Sequence, residues 1–426
     1  MLSKSLMLLL RFARRLGVRV VLMAALAVLA ALFAPLFDGF IPKSLTERFG
    51  ADAVRPILNI LASSLLTVTT FSLGVMVSAF QSASSQGTPR AYRVLMQDGT
   101  TQTVLATFVS GFLFSLTALV MFNAGFYSET AAVVIFGLTI VTIVLIIAAI
   151  LRWIDLLSHL GSMDHTLRQV ENAAQISLQT NASAPNLGAN RLIDMLPPPP
   201  GARPVFAAES GYVQFIDLAR LNDALMEKDG VLWITASPGK YVLRDQPMGY
   251  ISRADQGLCD SICDYITFGR ERTMEQDCRF GLVVLSEIAA RAMSPGVNDP
   301  GTAIDVVHRL KKLLWEYIQS LGAHDAAEQD SQDDEEPVLY PRIHLPATTA
   351  SDLLHDAYGV IIRDAAGRVE VMGQIIHALQ ELATAPGAMG TAARAEITYA
   401  RTHAEEAISN ETDLDKIRRL APAEGD

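Results

Sequence analysis

Few residues in this chain have the type and spacing that chemistry requires, and the most ordered set carries no charge. Asn59, Ser63, Thr67, Thr70, Gly74, Ser78 and Gln81 recur at spacings of 4, 4, 3, 4, 4 and 3 within one apolar stretch. At about 100° per residue they fall within about 100° of one another around a helix and form a stripe about 33 Å long. Hydroxyl and amide groups in such a row suit two tasks. They line a water-filled path, or they close a helix–helix packing seam through hydrogen bonds. A shorter row of the same kind, Thr103, Thr107, Gly111 and Ser115, follows downstream. Neither row holds an ionisable residue, so proton relays and voltage sensing are excluded and any passage is passive.

A second set of candidates lies in the C-terminal half. In Ser294-Pro295-Gly296-Val297-Asn298-Asp299-Pro300, Pro-Gly suits a tight turn, and Asp before Pro reads as an N-cap with proline at the first helical position. The helix so started is expected to stop at Gly322. Amides of such a loop converge on a helix N-terminus, which favours anions. Asn298 and Asp299 are therefore possible ligand-binding residues, against the plainer reading of a structural turn. Upstream, Gly269–Arg279 reads as a mixed-charge helical stretch. Arg272 and Arg291 are either solvated ion pairs or the cations of an anion site.

Catalytic signatures are missing: there is no Walker A, G-x-G-x-x-G, H-E-x-x-H or G-x-S-x-G run and no zinc-type Cys/His spacing. No catalytic residue, metal site or cofactor is expected. Cys259, Cys263 and Cys278 are too few for a disulfide framework and read as structural thiols. The net charge of −11 is mostly one acidic run, Asp325–Glu336, and nucleic acid is not an expected partner.

The elements that must position these residues divide sharply. Four stretches, Val20–Phe37, Ile57–Phe80, Thr103–Phe122 and Ala131–Leu151, contain no Lys, Arg, Asp, Glu or His. Each has about the length that a bilayer core demands of a helix. The fold class expected is therefore an α-helical membrane protein of four transmembrane helices (residues 1–155) with a cytoplasmic α+β domain that is mostly helical. The N-terminal tail holds Lys4, Arg11, Arg14, Arg15 and Arg19 and no acid, whereas the loop 123–130 has no basic residue. That bias places both termini inside, in the cytoplasm of a multi-pass inner-membrane protein.

Past the fourth span, Leu156, Leu160, Met163, Leu167, Val170 and Ala174 alternate by 4 and 3. This spacing reads as a helical stalk (156–180) that packs on a neighbouring subunit or on its own domain. A Pro-rich linker (181–202, with Pro197–Pro200) follows, then a small β-containing subdomain (203–251). A helical domain (252–420) completes the chain, interrupted by a disordered acidic loop (323–337).

Three stretches together carry a family resemblance. They are Ser82–Phe114, Gly211–Leu218 (GYVQFIDL) and Phe268–Ala303 with FGRERTMEQDCRFGL and SPGVNDPGTA. On these the chain resembles the predicted bacterial membrane proteins grouped as domain of unknown function 2254. One departure is Gly87-Thr88-Pro89-Arg90, where that pattern has a Phe-Ser-Pro-Arg type run. The resemblance implies a bacterial inner-membrane location and supplies no activity or site. Two functions remain in view. One is an oligomeric passive pore or transport protein, lined by the second span and gated by the cytoplasmic domain. The other is a membrane-anchored signalling or scaffold protein whose cytoplasmic domain binds a protein partner. Both have the lipid bilayer as surroundings, and the first requires a homo-oligomer because four spans are few to enclose a pore.

Overall fold

A computed structural model describes residues 4–13, 16–36, 50–96, 99–159, 161–192, 200–253, 256–329 and 338–421. Most of the loop after the first span, Pro197–Pro199 and the core of the acidic run, 330–336, lie outside the described residues. The chain divides into two compact units. One comprises residues 8–86 and 92–166, the other 1–7, 87–91 and 167–426.

The first unit is helical. After α1 (Lys4–Ala13) come α2 (Leu16–Phe33), α3 (Ala51–Gln86), α4 (Pro89–Met96), α5 (Gly99–Asn123) and α6 (Glu129–His159). Four segments are long and apolar enough to cross a membrane: Gly17–Leu36, Ala51–Ser82, Gly99–Asn123 and Glu129–Leu157. Each begins before the apolar stretch expected from sequence, because polar residues at the start continue the helical hydrogen bonding beyond the apolar part. The third span is the central one, and its neighbours cover it in two layers. Phe114, Ala118 and Phe122 pack with Ala31, Val54, Leu58 and Ile135 towards one end. Val104, Leu105 and Phe108 pack with Leu65, Met76, Ile146 and Trp153 towards the other. Between the layers a Cβ on Gly111 would meet Leu65 Cδ1 at 3.1 Å and Ile146 Cδ1 at 3.3 Å, so a small residue is needed there.

Alternating direction is visible in the polar ties. Arg19, at the start of the first span, donates to the Gly99 carbonyl (2.8 Å) and to Thr103 Oγ1 (3.0 Å) at the start of the third. At the opposite end, Tyr127 Oη donates to the Ala31 carbonyl (2.7 Å) and Arg55 to the Phe122 carbonyl (3.4 Å). The first and third spans thus run the same way and the second runs against them.

The second unit is mixed. It continues through α7 (Met163–Ser183), β1 (Ala189–Leu192), β2 (Arg203–Phe206), β3 (Gly211–Ile216), α8 (Leu218–Glu227), β4 (Val231–Ile234), β5 (Tyr241–Val242) and β6 (Pro247–Ser252). There follow α9 (Gln256–Ser261), β7 (Ile266–Gly269), α10 (Cys278–Met293), α11 (Pro300–Gln329) and β8 (Tyr340–Pro346). Last come α12 (Ala350–Leu354), α13 (Val360–Asp364), α14 (Val369–Leu382), α15 (Gly387–Ala407) and α16 (Glu411–Leu420). One sheet has the order β1-β8-β4-β6-β2 and the other β5-β3-β7. β8 lies parallel to both β1 and β4, while β6 is antiparallel to β4 and β2. Leu218, Leu221 and Leu225 of α8 bury one amphipathic face with Val213, Ile216, Leu232, Ile234 and Ile343 of the strands.

Several expectations are corrected here. α7 is not a continuation of the fourth span, because the chain turns at Gly161 (φ +84°). Of the 4/3 seam, Leu160 lies outside the described residues, while Leu167, Val170 and Ala174 are buried within the unit. Ala174 sits where α10 has Gly281, whose Cβ would be 2.3 Å from the Ala174 Cβ. The segment read as a linker contains β1. The region from Gln256 onward is not wholly helical, since β7 and β8 belong to the two sheets. Arg270–Asp277 is a loop rather than a helix, and α11 runs through Gly322 to Gln329.

Candidate functional site

All seven residues of the span-two stripe, Asn59, Ser63, Thr67, Thr70, Gly74, Ser78 and Gln81, are exposed on the outside of their unit. Val54, Leu58, Ala62, Leu65, Ser72 and Met76 take the buried face of the same helix. The stripe and the span-three row do not meet. Gly111 and Ser115 are buried, and Thr103 and Thr107 are half-buried. A single helical unit therefore has a mostly apolar interior, with buried Ser72, Ser110, Ser115 and Thr139 among its apolar side chains, and an uncharged polar outer face bordered by exposed Leu66, Leu73 and Phe71. Ser63 Oγ donates to the Asn59 carbonyl (3.0 Å), Thr67 Oγ1 to Ser63 (3.3 Å) and Thr70 Oγ1 to Leu66 (2.8 Å). These hydroxyls are satisfied within their own helix. Gly74 has nothing within 4 Å of where a Cβ would stand.

The mixed unit holds a polar cavity of about 370 Å³. Two loops at strand ends form much of its wall: Ser237–Lys240 after β4, and Pro346–Thr348 after β8. Because β4 and β8 are parallel, both loops leave the sheet at the same edge, the usual position for ligands in parallel arrangements. The third wall is the start of α10. Asp277 occupies its N-cap position but makes no capping bond. Its carboxylate instead accepts from Arg272 Nε (2.8 Å) and Nη2 (3.1 Å). Burial raises the Asp277 carboxyl above its ordinary range, with the guanidinium opposing the shift. Arg272 also lies over the Phe280 ring, 5.0 Å from its centroid. The next residue, Cys278, is buried, and that burial pushes its thiol up to about 12, so it is an inert thiol and no nucleophile. Arg279 pairs with Asp356 (2.5 Å) and Asp352 (3.1 Å).

Backbone strain marks the fourth wall. Asn186 (φ 50°), Leu187 (φ 60°) and Gly188 (φ 80°) are consecutive left-handed residues, a conformation that non-glycine residues adopt at a cost. Gly239, at φ +89°, lets the Asp277 carboxylate approach so closely that a Cβ would be 2.1 Å from Oδ2.

The residues expected from sequence are distributed as follows. Arg272 lines the cavity. Arg291 is exposed at the far end of α10, about 20 Å along the helix from Cys278, so the two arginines do not converge. Asp299 caps α11, its carboxylate accepting from Thr302 N (3.0 Å) and Thr302 Oγ1 (2.6 Å), and those bonds lower its carboxyl. Asn298 (φ 51°) accepts from Arg368. The loop is an exposed turn secured by its own bonds and by Arg368. Cys259 and Cys263 pack against the sheet core, and all three cysteines are free. Among the described residues no cluster of His, Cys, Asp or Glu could hold a metal ion. Sequence reasoning missed Asp277 as the partner of Arg272 and missed Lys240, Asn186 and Thr348 altogether.

The chain belongs to the family described as predicted membrane protein, DUF2254, whose profile matches residues 13–381. Among similar proteins are uncharacterised proteins of Mycobacterium tuberculosis and Mycobacterium bovis. Each is 29% identical over 283 residues, covering 63% of this chain and 53% of theirs. The chain thus spans about half the length of the curated relatives it matches. No solved structure matches it.

Proposed function

We propose that this membrane protein works as a homo-oligomer whose second spans face one another around a passive polar path, with the mixed unit on the cytoplasmic side controlling it. One observation carries this reading: the seven stripe residues are exposed while the interior of the helical unit is packed and mostly apolar, with only uncharged polar residues such as Ser72, Ser115 and Thr139 buried in it. Asn59 and Gln81 at the ends of the stripe, and the hydroxyls of Ser63, Thr67, Thr70 and Ser78 between them, make six polar side chains that are poorly matched to hydrocarbon. A second copy presenting the same face removes that mismatch. Because the unit's own core is packed, a path fits only between copies.

The back-bonded hydroxyls of Ser63, Thr67 and Thr70 favour a second reading. Satisfied locally, they need no water, and the face then serves as a dry seam in a membrane-anchored scaffold or signalling protein. One experiment separates the readings. Thr70→Cys, in a chain whose own three cysteines are replaced, is oxidised in native membranes and separately treated with a membrane-impermeant thiol reagent. Leu145→Cys, on an exposed apolar position of the fourth span (54% exposed), is the control. The pore reading expects disulfide-linked dimers and rapid labelling at position 70 alone. Dimers without labelling establish the dry seam. Absence of dimers at Thr70→Cys, and equally at Thr67→Cys and Gly74→Cys, refutes assembly through this face.

A further inference from the structure

We propose that the cavity between the β4 loop, the β8 loop and the start of α10 binds the phosphate group of a small phosphorylated polyol. The argument is a balance of donors and acceptors. Both carboxylates in the wall are already satisfied. Asp277 accepts two bonds from Arg272, and Asp352 accepts from Arg279, Thr349 N and Thr349 Oγ1. Gln276 is likewise spent on the backbone of Ile216, accepting from its N–H and donating to its carbonyl.

Donors are left over. Arg272 uses Nε and Nη2 on Asp277, so Nη1 has no partner among the described residues. Arg279 uses Nε and Nη1, leaving Nη2. Lys240 donates once, to the Thr235 carbonyl at 3.2 Å, from an ammonium with three protons. The side-chain amide of half-buried Asn186 bonds no described residue. A ligand that completes this wall must supply acceptors, and several at once. A tetrahedral oxyanion does so, and the remaining Nη groups of two guanidiniums together with an ammonium are donors that recognise it. Asp277 supports the site from behind. By engaging Arg272 rather than capping α10, it fixes the guanidinium and leaves the first amides of a 16-residue helix without a side-chain cap.

The body of the ligand follows from the rest of the lining. The cavity is larger than a bare phosphate needs. Asn181 has its amide nitrogen to offer, its oxygen being taken by Tyr317 Oη (3.0 Å), and Ser237 and Thr348 add hydroxyls. None of the lining residues is aromatic, so nothing stacks on a nucleobase. A hydroxylated carbon chain fits these groups.

The test is calorimetric titration of the full chain in detergent micelles at low ionic strength, with glycerol 3-phosphate, inorganic phosphate and glycerol as probes. Glycerol 3-phosphate is expected to bind, phosphate more weakly, and glycerol not at all. Lys240→Glu and Arg272→Gln should each weaken glycerol 3-phosphate by about tenfold or more, while Lys416→Glu, on the exposed surface of α16, leaves it unchanged. If Arg272→Gln does not fold, the exposed Lys240→Glu decides the matter. No binding of either phosphate probe at about 10 mM, a concentration that detects even dissociation constants weaker than about 1 mM, overturns the proposal. So does an affinity that Lys240→Glu leaves intact.

Discussion

Gly281→Ala tests how α7 is held, and the geometry sets its size. A Cβ at position 281 would be 2.3 Å from the Ala174 Cβ and 2.7 Å from the Ala174 Cα, where ordinary contact begins at 3.4 Å. The helices must separate by about 1 Å or the residues must shift, and overpacking of this kind costs about 1–3 kcal/mol. Alanine's better helix propensity returns about 1 kcal/mol. The net cost expected is about 0–2 kcal/mol, which lowers the melting temperature of a unit of this size by up to roughly 8 °C. Gly281→Leu gains nearly the same propensity but forces a far larger side chain against Ala174, and should cost about 4 kcal/mol, at the severe end for a point mutation. Ala174→Gly combined with Gly281→Ala removes the worse of the two clashes and should recover part of the loss, a coupling expected of residues in contact. Thermal unfolding in detergent, followed by tryptophan emission, reads all four proteins. If Gly281→Leu melted within about 1 °C of the parent, α7 would not rest on α10. The 4/3 seam of Leu167, Val170 and Ala174 would then be free for a neighbouring subunit.

Glu171 is nearly buried (side chain 9% exposed) between Arg309 (2.5 Å) and Lys312 (2.8 Å). Glu171→Ala strands Arg309, which keeps Asp305, and should cost about 2 kcal/mol, less than the loss of a fully buried pair. Burial acts to raise the Glu171 carboxyl, but hydrogen bonds from Lys312 and Arg309 outweigh it and hold the carboxyl below its ordinary 4.5. The unfolded chain therefore takes up this proton first. The contribution of Glu171 is present above pH 4.5 and is lost as pH falls through the lower folded value, so Glu171→Gln should flatten acid unfolding in that window. Asp299→Ala removes the cap of α11 and should cost about 1 kcal/mol in urea unfolding, with Asp299→Ser recovering most of it. Gly239→Ala combines a left-handed φ with a clash against Asp277, and should lower the melting temperature by more than Gly296→Ala, where there is open space.

Long apolar runs are the strongest signal a sequence carries, and all four candidate spans were legible in it for that reason. Local patterning was equally legible in the β-containing stretch 203–251 and in the Asp-Pro start of α11. What failed were segments whose structure is decided by distant partners. β8 contains Pro341 and Pro346, residues that argue against an interior strand, yet it lies between β1 and β4. The register shifts opposite Pro341, and Asn190 Nδ2 donates to the Pro341 carbonyl at 2.8 Å, covering part of the irregularity. Gly322 did not stop α11, because one interior glycine costs only about 1 kcal/mol. Leu310, Leu313, Leu314 and Tyr317 already anchor the helix before it. The turn of π-helix at His355–Gly359 has no local signature at all. It follows from packing, with the His355 ring over Gly359 where a Cβ would be 2.7 Å away.

The same division explains the two sites. The polar stripe is a periodicity within one helix, so its existence could be read from spacing alone. Its direction could not, because which side of a span turns outward depends on the other three. That direction changes the functional argument. An inward stripe would have placed a path inside one chain, whereas an outward one moves any path to a junction between chains and makes self-association the first thing to measure. The cavity is the opposite case. Asn186, Lys240, Arg272 and Thr348 share no motif and stand up to 162 positions apart, from 186 to 348. Only the parallel pairing of β4 and β8, with α10 starting beside their ends, brings them to one wall. The partner proposed for the polar face of the helical unit and the ligand proposed for the donors of the mixed unit are separate inferences, each with its own test. If both hold, ligand occupancy can be compared with dimer yield at Thr70→Cys. Ligand can shift that yield only if it binds the two assembly states with different affinity.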